Sequence, residues 1–354
     1  MTYVAGKSAE QLKRERGLGE IVKLGSNENP LGPSPKALAA LRDSALEMNR
    51  YPDVELADLR VALAEHLGLE DQQVVVGNGS CDVLMLLARQ ILHPGDEVVI
   101  SNPAFLMYEI SARAAGASCV FVEPRDYAYD LDAIGGAVGD RTRIVYLTNP
   151  NNPTGLAISN TEFTRFLEAL PTSVLVVLDE AYHEYVDMTD AVDGRDLVAE
   201  GHNLIATRTF SKIYGLAGMR VGYGFGSPEL IALLVASEPP FHTGRQALLA
   251  AQAALADQEY LGRCRQANSE GRLYLTSEVS KLGLRVLPSQ SNHILIVGLE
   301  DTAPIDDGLQ SRGVIVRPTD ASFGLAGCIR VTVGTRGENE TFVGALTEVL
   351  SELS

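Results

Sequence analysis

The chain alternates short runs of β-branched residues with helical patterns, and this alternation constrains its fold more than any other feature. Such an order is typical of parallel strands joined by crossover helices, because each strand is then buried on both faces. The runs predicted as strands are Val74–Val76, Glu97–Ile100, Ile144–Leu147, Val174–Leu178 and Asn203–Ala206. The helices predicted between them are Cys81–Leu92, Asp130–Val138 and Thr161–Ala169. We therefore predict a large α/β layer across this part of the chain.

A smaller α/β unit is predicted after this layer. An Ala- and Leu-rich helical stretch runs from Thr243 to Leu282. The strands predicted after it are His293–Ile296, Val314–Arg317 and Ile329–Val333, and a final helix follows them. We expect an N-terminal arm over residues 1–28, a large domain over 29–242 and a small C-terminal domain over 243–354.

Composition excludes several classes of partner. The 354 residues are 45% hydrophobic, which is enough to bury the cores of two domains. The formal net charge of −17 argues against nucleic acid and anionic membranes. The first residues lack the apolar stretch of a signal peptide, which predicts a cytoplasmic location. We expect neither a metal site nor a disulfide framework, because no CxxC pair occurs among Cys81, Cys119, Cys264 and Cys328.

Ser211-Lys212 is the strongest candidate for a reactive site. A lysine traps a carbonyl only where a partly desolvated site keeps its amine neutral, and an aldehyde cofactor such as pyridoxal phosphate is its usual partner. Most lysines are solvated surface charges, so Lys212 alone would indicate little. It opens the glycine-rich segment Gly215–Arg220, and groups suited to a phosphate flank it, namely Thr209, Ser211 and Arg220.

The segment Val76–Asp82 lies between a predicted strand and a predicted helix. Its backbone amides and the Ser80 hydroxyl would face an anion at the positive end of the helix, and a phosphate fits there. A glycine-rich turn also occurs for backbone geometry alone. A dinucleotide-binding oxidoreductase with Gly77-x-Gly79 as its phosphate loop is a further alternative, but it requires a third glycine where this chain has Asp82.

Polar side chains follow two of the predicted strands. Asn149–Gly155 is too rich in proline and turn residues for a helix, and it places Asn152 at the carboxyl end of a strand, where its amide can donate to the cofactor's phenolic oxygen. Asp179 ends an apolar run, so its carboxylate needs a cation such as the cofactor's pyridinium nitrogen. Tyr182 would share the phenolic oxygen with Asn152. The alternative for Asp179 is a helix-capping role.

These motifs resemble the fold type I, pyridoxal-phosphate-dependent aminotransferases and, within them, the histidinol-phosphate aminotransferase family. The segments that carry the closer resemblance are Lys23–Pro33, Arg50–Asp53 and Cys328–Thr335. The resemblance covers nearly the whole chain. It implies a large domain with a mostly parallel seven-stranded sheet between helices, a smaller α/β C-terminal domain, and an N-terminal arm packed against the small domain or a partner subunit.

The resemblance also implies roles for individual residues. Lys212 would bind the cofactor as a Schiff base and shuttle the proton, with Asp179 and Tyr182 as further catalytic residues. The implied cofactor contacts also include Ser80, Cys81, Asp82, Phe105, Asn152, Thr209, Ser211 and Arg220, with Tyr51 reaching in from the partner of a homodimer. The implied substrate contacts are Tyr3, Asn27, His242, Arg317 and Arg330. The alternative for the two arginines is a strand-edge charge paired at the surface.

The implied reaction is a ping-pong transamination from histidinol phosphate to 2-oxoglutarate, a step of histidine biosynthesis. Cys81 and Phe105 depart from the family pattern, which usually has an acidic residue and a tyrosine there. Glu238 stands where a basic residue is typical, which would weaken the attraction for a phosphorylated donor, and His242 would partly replace that cation. The open alternatives are an aromatic or other amino-acid aminotransferase, and a pyridoxal-phosphate lyase or decarboxylase of the same fold.

Overall fold

The structure, a computed structural model, describes residues 6–353, so Tyr3 lies outside the described residues. The strands are β1 (Val22–Lys23), β2 (Val74–Gly77), β3 (Glu97–Ser101), β4 (Ser118–Val122), β5 (Thr142–Thr148), β6 (Leu175–Asp179), β7 (Leu204–Thr209), β8 (Gly222–Phe225), β9 (Arg285–Val286), β10 (His293–Val297), β11 (Val314–Ile315), β12 (Arg317–Pro318) and β13 (Ile329–Thr332). The helices are α1 (Ala9–Arg16), α2 (Pro35–Ser44), α3 (Ala57–Leu67), α4 (Ser80–Ile91), α5 (Met107–Ala114), α6 (Leu131–Gly136), α7 (Asn160–Ala169), α8 (Gly194–Ala199), α9 (Pro228–Val235), α10 (Arg245–Leu255), α11 (Gln258–Lys281), α12 (Ala303–Ser311), α13 (Asp320–Phe323) and α14 (Arg336–Leu353).

A seven-stranded sheet with the order β2-β8-β7-β6-β5-β3-β4 forms the centre of the larger unit. The neighbours from β7 to β4 run parallel, whereas β8 is antiparallel to both β2 and β7. The predicted mostly parallel sheet is therefore confirmed. Helices cover it, and the parallel strands end at one edge, where ligands bind in sheets of this kind.

Two strands of this sheet were not predicted from the sequence, and β8 shows why. Glycines alternate with aromatic residues along it, a pattern that strand propensity disfavours. A Cβ at Gly222 would clash with the backbone nitrogen of Ser80, so the glycine allows β8 to pass close to the start of α4. The other strand, β4, lies at the sheet edge and keeps Ser118 and Phe121 exposed.

The smaller unit contains a four-stranded antiparallel sheet with the order β12-β13-β10-β9. The strand predicted as Val314–Arg317 is divided, because its two halves pair with different strands. Val314 and Ile315 form β11 and pair in parallel with β1, whereas Arg317 begins β12 and pairs with Arg330 of β13. Residues 22 and 23 thus pair with a strand of the C-terminal unit.

The boundary between the hydrophobic core of the large sheet and that of the small sheet lies within α11 rather than at residue 243. Helix α10 belongs to the cluster of the seven-stranded sheet through Ala250 and Ala254, as does the start of α11 through Leu261. The end of α11 belongs to the cluster of the small sheet through Leu275 and Val279. The domain limits remain a prediction, but this packing moves the change of core further along the chain. Over residues 6–353, no helix is long and apolar enough to cross a membrane.

Candidate active site

A cavity of about 170 Å³ opens between the carboxyl edge of the large sheet and the small unit. The predicted site residues that line it are Asn27, Phe105, Asn152, Tyr182, Lys212, Arg317 and Arg330. They come from both units and from the N-terminal segment, and they are up to about 300 positions apart in sequence. The folding of both units is therefore required to assemble the cavity.

Asp179 is the last residue of β6 and is 2% exposed. Its Oδ2 accepts a hydrogen bond from the Tyr108 hydroxyl at 2.8 Å, and its Oδ1 accepts one from the Ala181 amide at 3.2 Å. Within residues 6–353 no basic side chain forms a salt bridge with it. Burial raises the pKa of Asp179 to about 6, against the opposing effect of the Tyr108 hydrogen bond. This carboxylate suits a cationic ring nitrogen.

Lys212 projects into the cavity, where its Nζ lies 3.4 Å from the Ser26 carbonyl oxygen and 5.7 Å from the centre of the Tyr182 ring. Burial is the main cause that lowers the pKa of Lys212 to about 8, and the positive charge of Arg330 lowers it further. A larger fraction of this amine is therefore neutral at pH 7 than in a surface lysine. A neutral amine is what attack on a carbonyl requires.

An anion cradle surrounds the first turn of α4. Gly79 precedes this helix with φ of 87°, and a Cβ there would lie 2.7 Å from a guanidinium nitrogen of Arg220. The Arg220 Nη1 also donates to the Ser211 hydroxyl at 3.2 Å. The helix terminus, the buried Ser80 and this guanidinium thus surround one point, which suits a phosphate. A side chain at Gly79 would displace the Arg220 guanidinium that completes this cradle.

Other predicted phosphate contacts lie around the same turn. The Thr209 Oγ1 accepts from the Ser211 amide at 3.1 Å. Cys81 is half-buried; burial raises the pKa of its thiol most, and the charges of Asp179, Arg220 and Lys212 also act on it. Asp82 turns back onto its own loop, where its Oδ2 accepts from the Asn78 amide at 2.9 Å. Asp82 thus stabilises the loop rather than offering a donor to an anion.

Asn152 and Arg330 form a direct contact across the cavity wall. The Arg330 Nη1 donates to the Asn152 Oδ1 at 2.5 Å, and its Nη2 donates to the Gly25 carbonyl oxygen at 2.8 Å. Because Oδ1 of Asn152 accepts from the arginine, the amide Nδ2 is the end left to donate to a ligand. Arg330 is 6% exposed, so the surface-paired alternative for it is wrong. Arg317 is half-buried and lines the same cavity.

Tyr51 and His242, two of the predicted site residues, do not line this cavity. Tyr51 is 77% exposed and stacks on Phe241 with ring centres 4.5 Å apart. His242 turns away, with Nδ1 3.0 Å from the Pro239 carbonyl oxygen and Nε2 2.9 Å from that of Val76. Tyr3 lies outside residues 6–353. Tyr51 or His242 could therefore act at such a cavity only in a second subunit.

Sequence reasoning missed two residues of the site. Tyr108 donates to Asp179, and its spacing of three residues from Phe105 on a helical turn is a signal that could have indicated it. His293 begins β10 and contacts the Asn27 side chain, with Nδ1 3.0 Å from the amide nitrogen. No local pattern marks His293, because the residues around it form an ordinary apolar strand.

The site combines a buried carboxylate, a lysine of lowered pKa and an anion cradle at the carboxyl edge of a mostly parallel sheet. The profile of the family described as "Aminotransferase class I and II" matches residues 19–346. The chain therefore belongs to the class I and II aminotransferases. The alternative of a dinucleotide-binding oxidoreductase is wrong.

Individual relatives lie within one branch of that family. The chain is 44% identical over 350 residues to histidinol-phosphate aminotransferase of Moorella thermoacetica, covering 99% of this chain and 90% of that one. It is 46% identical over 351 residues to histidinol-phosphate aminotransferase 2 of Pseudomonas fluorescens, covering 99% and 95%. The crystal structure of histidinol-phosphate aminotransferase from Sinorhizobium meliloti in complex with pyridoxal-5'-phosphate superposes with a TM-score of 0.92 at 33% identity, covering 99% and 96%. The resemblance to the histidinol-phosphate aminotransferase family and the fold type I architecture are thus confirmed.

Proposed function

We propose that this protein is a pyridoxal-phosphate-dependent aminotransferase that transfers the amino group of histidinol phosphate to 2-oxoglutarate. The observation that carries the proposal is the amine of Lys212, whose pKa is lowered to about 8, in one cavity with Arg330 and next to the buried Asp179. The printed names of the relatives support the choice of amino donor. The relative from Sinorhizobium meliloti supports the choice of cofactor.

The donor set of the site fits pyridoxal phosphate. The start of α4 with Ser80, Ser211 and Arg220 would bind the phosphate, and Asp179 would pair with the protonated ring nitrogen. When bound, the cofactor supplies an aldehyde that condenses with amines and a ring that accepts electron density from the α-carbon of the donor. Phe105 borders the cavity and would stack on the ring, a contact for which its missing hydroxyl is unimportant.

The remaining residues orient the reactants and move a proton. Lys212, whose lowered pKa lets its amine both hold and release a proton near neutral pH, would act at the α-carbon of the donor. Asn152 would donate its free Nδ2 to the phenolic oxygen, together with the Tyr182 hydroxyl. Arg330 and Arg317 would receive the anionic groups of donor and acceptor. The cavity thus has a separate group for each task.

A non-phosphorylated amino donor, such as an aromatic amino acid, is the second candidate. It is favoured by the segment Ser237–Gly244, where the carboxylate of Glu238 replaces a cation and lies 3.8 Å from His242. Both ring nitrogens of His242 already face backbone carbonyl oxygens, so this imidazole is poorly placed to substitute for the missing basic residue.

The absorbance spectrum of the cofactor-loaded enzyme separates the two candidates. Histidinol phosphate or phenylalanine is added without any acceptor, and the loss of the visible band of the lysine-bound cofactor is followed. We expect rapid loss with histidinol phosphate. Loss with phenylalanine alone would make the enzyme an aromatic aminotransferase, and loss with neither would contradict both. Lys212→Ala is the control, because it removes the amine without touching the anion cradle, and an undiminished visible band in it would refute the site.

We further propose that the enzyme is a homodimer whose subunits share their active sites. Exposed apolar side chains support this: Leu46, Met48, Tyr51 and Val54 lie in one segment, and Phe241 stacks on Tyr51. Exposed side chains of this size clustered in one segment are typical of a surface that another subunit covers. Tyr51 would then reach the phosphate of the partner's cofactor, and His242 would lie beside that site. The cytoplasmic location also remains a prediction.

A complementation experiment tests the shared site. Tyr51→Ala and Lys212→Ala, each inactive or nearly so alone, are mixed, dissociated and reassociated. If Tyr51 acts on the partner's site, each mixed dimer regains one intact site, and activity should return to about a quarter of the wild-type value in a statistical mixture. If Tyr51 acts within its own subunit, no mixed dimer has an intact site and no activity returns. A monomer in light scattering would refute the dimer directly.

A further inference from the structure

His293 is a buried titratable residue that lies behind Asn27 and Tyr182 of the cavity wall, and the proposed function leaves it without a role. It is 0% exposed, and its ring packs edge-on against Tyr182 with centres 5.4 Å apart. Its Nε2 lies 3.1 Å from the Pro153 carbonyl oxygen, and its Nδ1 lies 3.0 Å from the Asn27 amide nitrogen. One imidazole thus joins β10, the loop that carries Asn152 and the N-terminal segment.

The partners of His293 determine where its proton lies. A carbonyl oxygen only accepts hydrogen bonds, so Nε2, facing Pro153, carries the hydrogen. Nδ1 faces the Asn27 amide and the Ser291 hydroxyl, which lies at 3.0 Å, and it accepts. The ring is therefore neutral. Burial lowers the pKa of His293 well below its ordinary value, and the charges of Arg330 and Lys212 lower it further.

The same logic fixes the amide of Asn27. The backbone nitrogen of Asn27 donates to Thr332 Oγ1 at 2.9 Å, and the Thr332 hydroxyl donates back to Asn27 Oδ1 at 3.0 Å. Nδ2 then has two hydrogens for two acceptors, His293 Nδ1 and the Tyr182 oxygen, the latter at 2.9 Å. Thr332 and His293 are paired across β13 and β10, so the side-chain amide of Asn27 forms hydrogen bonds to both strands.

The consequence falls on the Tyr182 hydroxyl. Because its oxygen accepts from Asn27, its own hydrogen remains for a group in the cavity. We propose that His293 is a positioning residue that acts through Asn27 to direct the Tyr182 hydrogen into the cavity. This inference rests on the proposed function, in which that hydrogen meets the phenolic oxygen of the cofactor.

The opposite arrangement shows what His293 prevents. If Nδ1 carried a hydrogen, Asn27 would have to turn its oxygen toward His293 and Tyr182. The Tyr182 hydroxyl would then donate to Asn27, and the lone pairs of the Tyr182 oxygen would face the phenolic oxygen of the cofactor. Two oxygens without a hydrogen between them repel each other. A neutral ring with its proton on Nε2 avoids this outcome.

The pH titration of the visible absorbance of the cofactor-loaded enzyme tests the proposal. A hydrogen bond donated to the phenolic oxygen withdraws negative charge and eases loss of the cofactor's titratable proton. Tyr182→Phe and His293→Phe should each raise the pH midpoint by about half a unit to one unit, and should lower kcat about 3- to 10-fold with little change in KM. In the Tyr182→Phe background, His293→Phe should add nothing further, because both act on one hydrogen bond.

Ser291→Ala is the matched control. It removes a hydroxyl from the same imidazole but keeps the contact between His293 and Asn27, so the midpoint should stay at the wild-type value. An equal rise in Ser291→Ala, additive effects in the double variant, or an unshifted midpoint in His293→Phe would each overturn the proposal. Failure of the proposed function is distinct, since the wild-type enzyme itself would then lack the visible band or the transamination.

Nitrogen NMR of histidine-labelled wild-type holoenzyme gives a second measurement. A variant is needed only to assign the signal. The chain has six histidines, and the signal that is missing in His293→Phe identifies the one of interest. We expect the neutral ring with its proton on Nε2 throughout the range in which a free imidazole titrates. A signal that titrates near the ordinary value, or a proton on Nδ1, would overturn the assignment.

Discussion

Two neighbouring carboxylates at the end of β6 lie in opposite surroundings. Asp179 accepts from Tyr108 and has no basic partner among residues 6–353, and burial raises its pKa to about 6. Glu180 accepts from Arg208 Nε at 2.9 Å and from the Gly194 amide at 2.9 Å. Burial acts to raise the pKa of Glu180 as well, but the charge of Arg208 and other neighbours outweigh it and hold the pKa at about 2.

The difference separates a structural charge from a functional one. The guanidinium of Arg208 neutralises Glu180 and also donates to Asp193 at 2.6 Å, so the three side chains form one ion cluster. Glu180, His183 and Asp193 have ligand atoms within 4.8 Å of one another, and Arg208 already supplies the positive charge that such a group needs. No cation pairs with Asp179 within residues 6–353, and this costs stability until a ligand provides one.

The largest expected effect is on catalysis by Asp179→Asn. The amide keeps the shape of the side chain but cannot hold a proton on the cofactor's ring nitrogen, so kcat should fall about 10²- to 10⁴-fold. Cofactor affinity should fall much less, because the anion cradle is intact. Steady-state kinetics and cofactor titration check both values. Turnover equal to wild type would show that the ring pairing is misplaced.

Glu180→Gln should lower stability rather than catalysis. It leaves Arg208 buried with only part of its countercharge, so the free energy of unfolding should fall by about 3 kcal/mol, whereas kcat should change little. Denaturant unfolding of the apoenzyme measures the loss. Glu184→Gln is the control, since Glu184 is also buried but forms no salt bridge with Arg208 among the described residues. A loss in Glu184→Gln as large as in Glu180→Gln would contradict the role of Arg208.

Asp179→Asn should also stabilise the apoenzyme at neutral pH. The folded-state pKa of Asp179 is raised, so its contribution to stability is fully present below the ordinary carboxyl value and is lost as the pH rises through about 6. The variant should therefore gain about 1 to 3 kcal/mol at pH 7, and the gain should vanish near pH 4. Thermal unfolding across this range checks the sign. A gain that is independent of pH would argue against burial of the charge as its cause.

Tyr108→Phe should have the smallest effect. It removes the hydroxyl that donates to Asp179, which should raise the carboxyl pKa further and lower kcat about 3- to 10-fold. Tyr146→Phe is matched, because the Tyr146 ring stacks on Tyr108 at 4.7 Å and its hydroxyl has no hydrogen-bond partner in the described part of the chain. That control should retain wild-type kcat, and an equal loss there would assign the effect of Tyr108→Phe to packing.

The sequence indicated five of the seven strands of the large sheet and the identities of the main site residues, for local reasons. Lys212 and Asn152 each lie in a segment whose composition is unusual for a helix or strand, and such segments are recognisable from the local sequence alone. Asp179 is recognisable because it is a carboxylate at the end of an apolar strand. Strand bounds were also close, as for β6, because a continuous apolar run is long only where a strand is buried on both faces. By contrast, β8 was not predicted, because its glycines allow a close contact with the start of α4.

The chain's own sequence therefore determined the fold class, the family resemblance and the lysine, amide and carboxylate on which the proposed chemistry depends. Only the tertiary structure decided that Asp179 stays without a cation while Glu180 receives one, and that His242 faces its own β2 backbone. It also decided that His293 joins Asn27 to Pro153. The reason is physical: pKa shifts and hydrogen-bond directions depend on which groups are buried together, and residues hundreds of positions apart meet only in the folded chain.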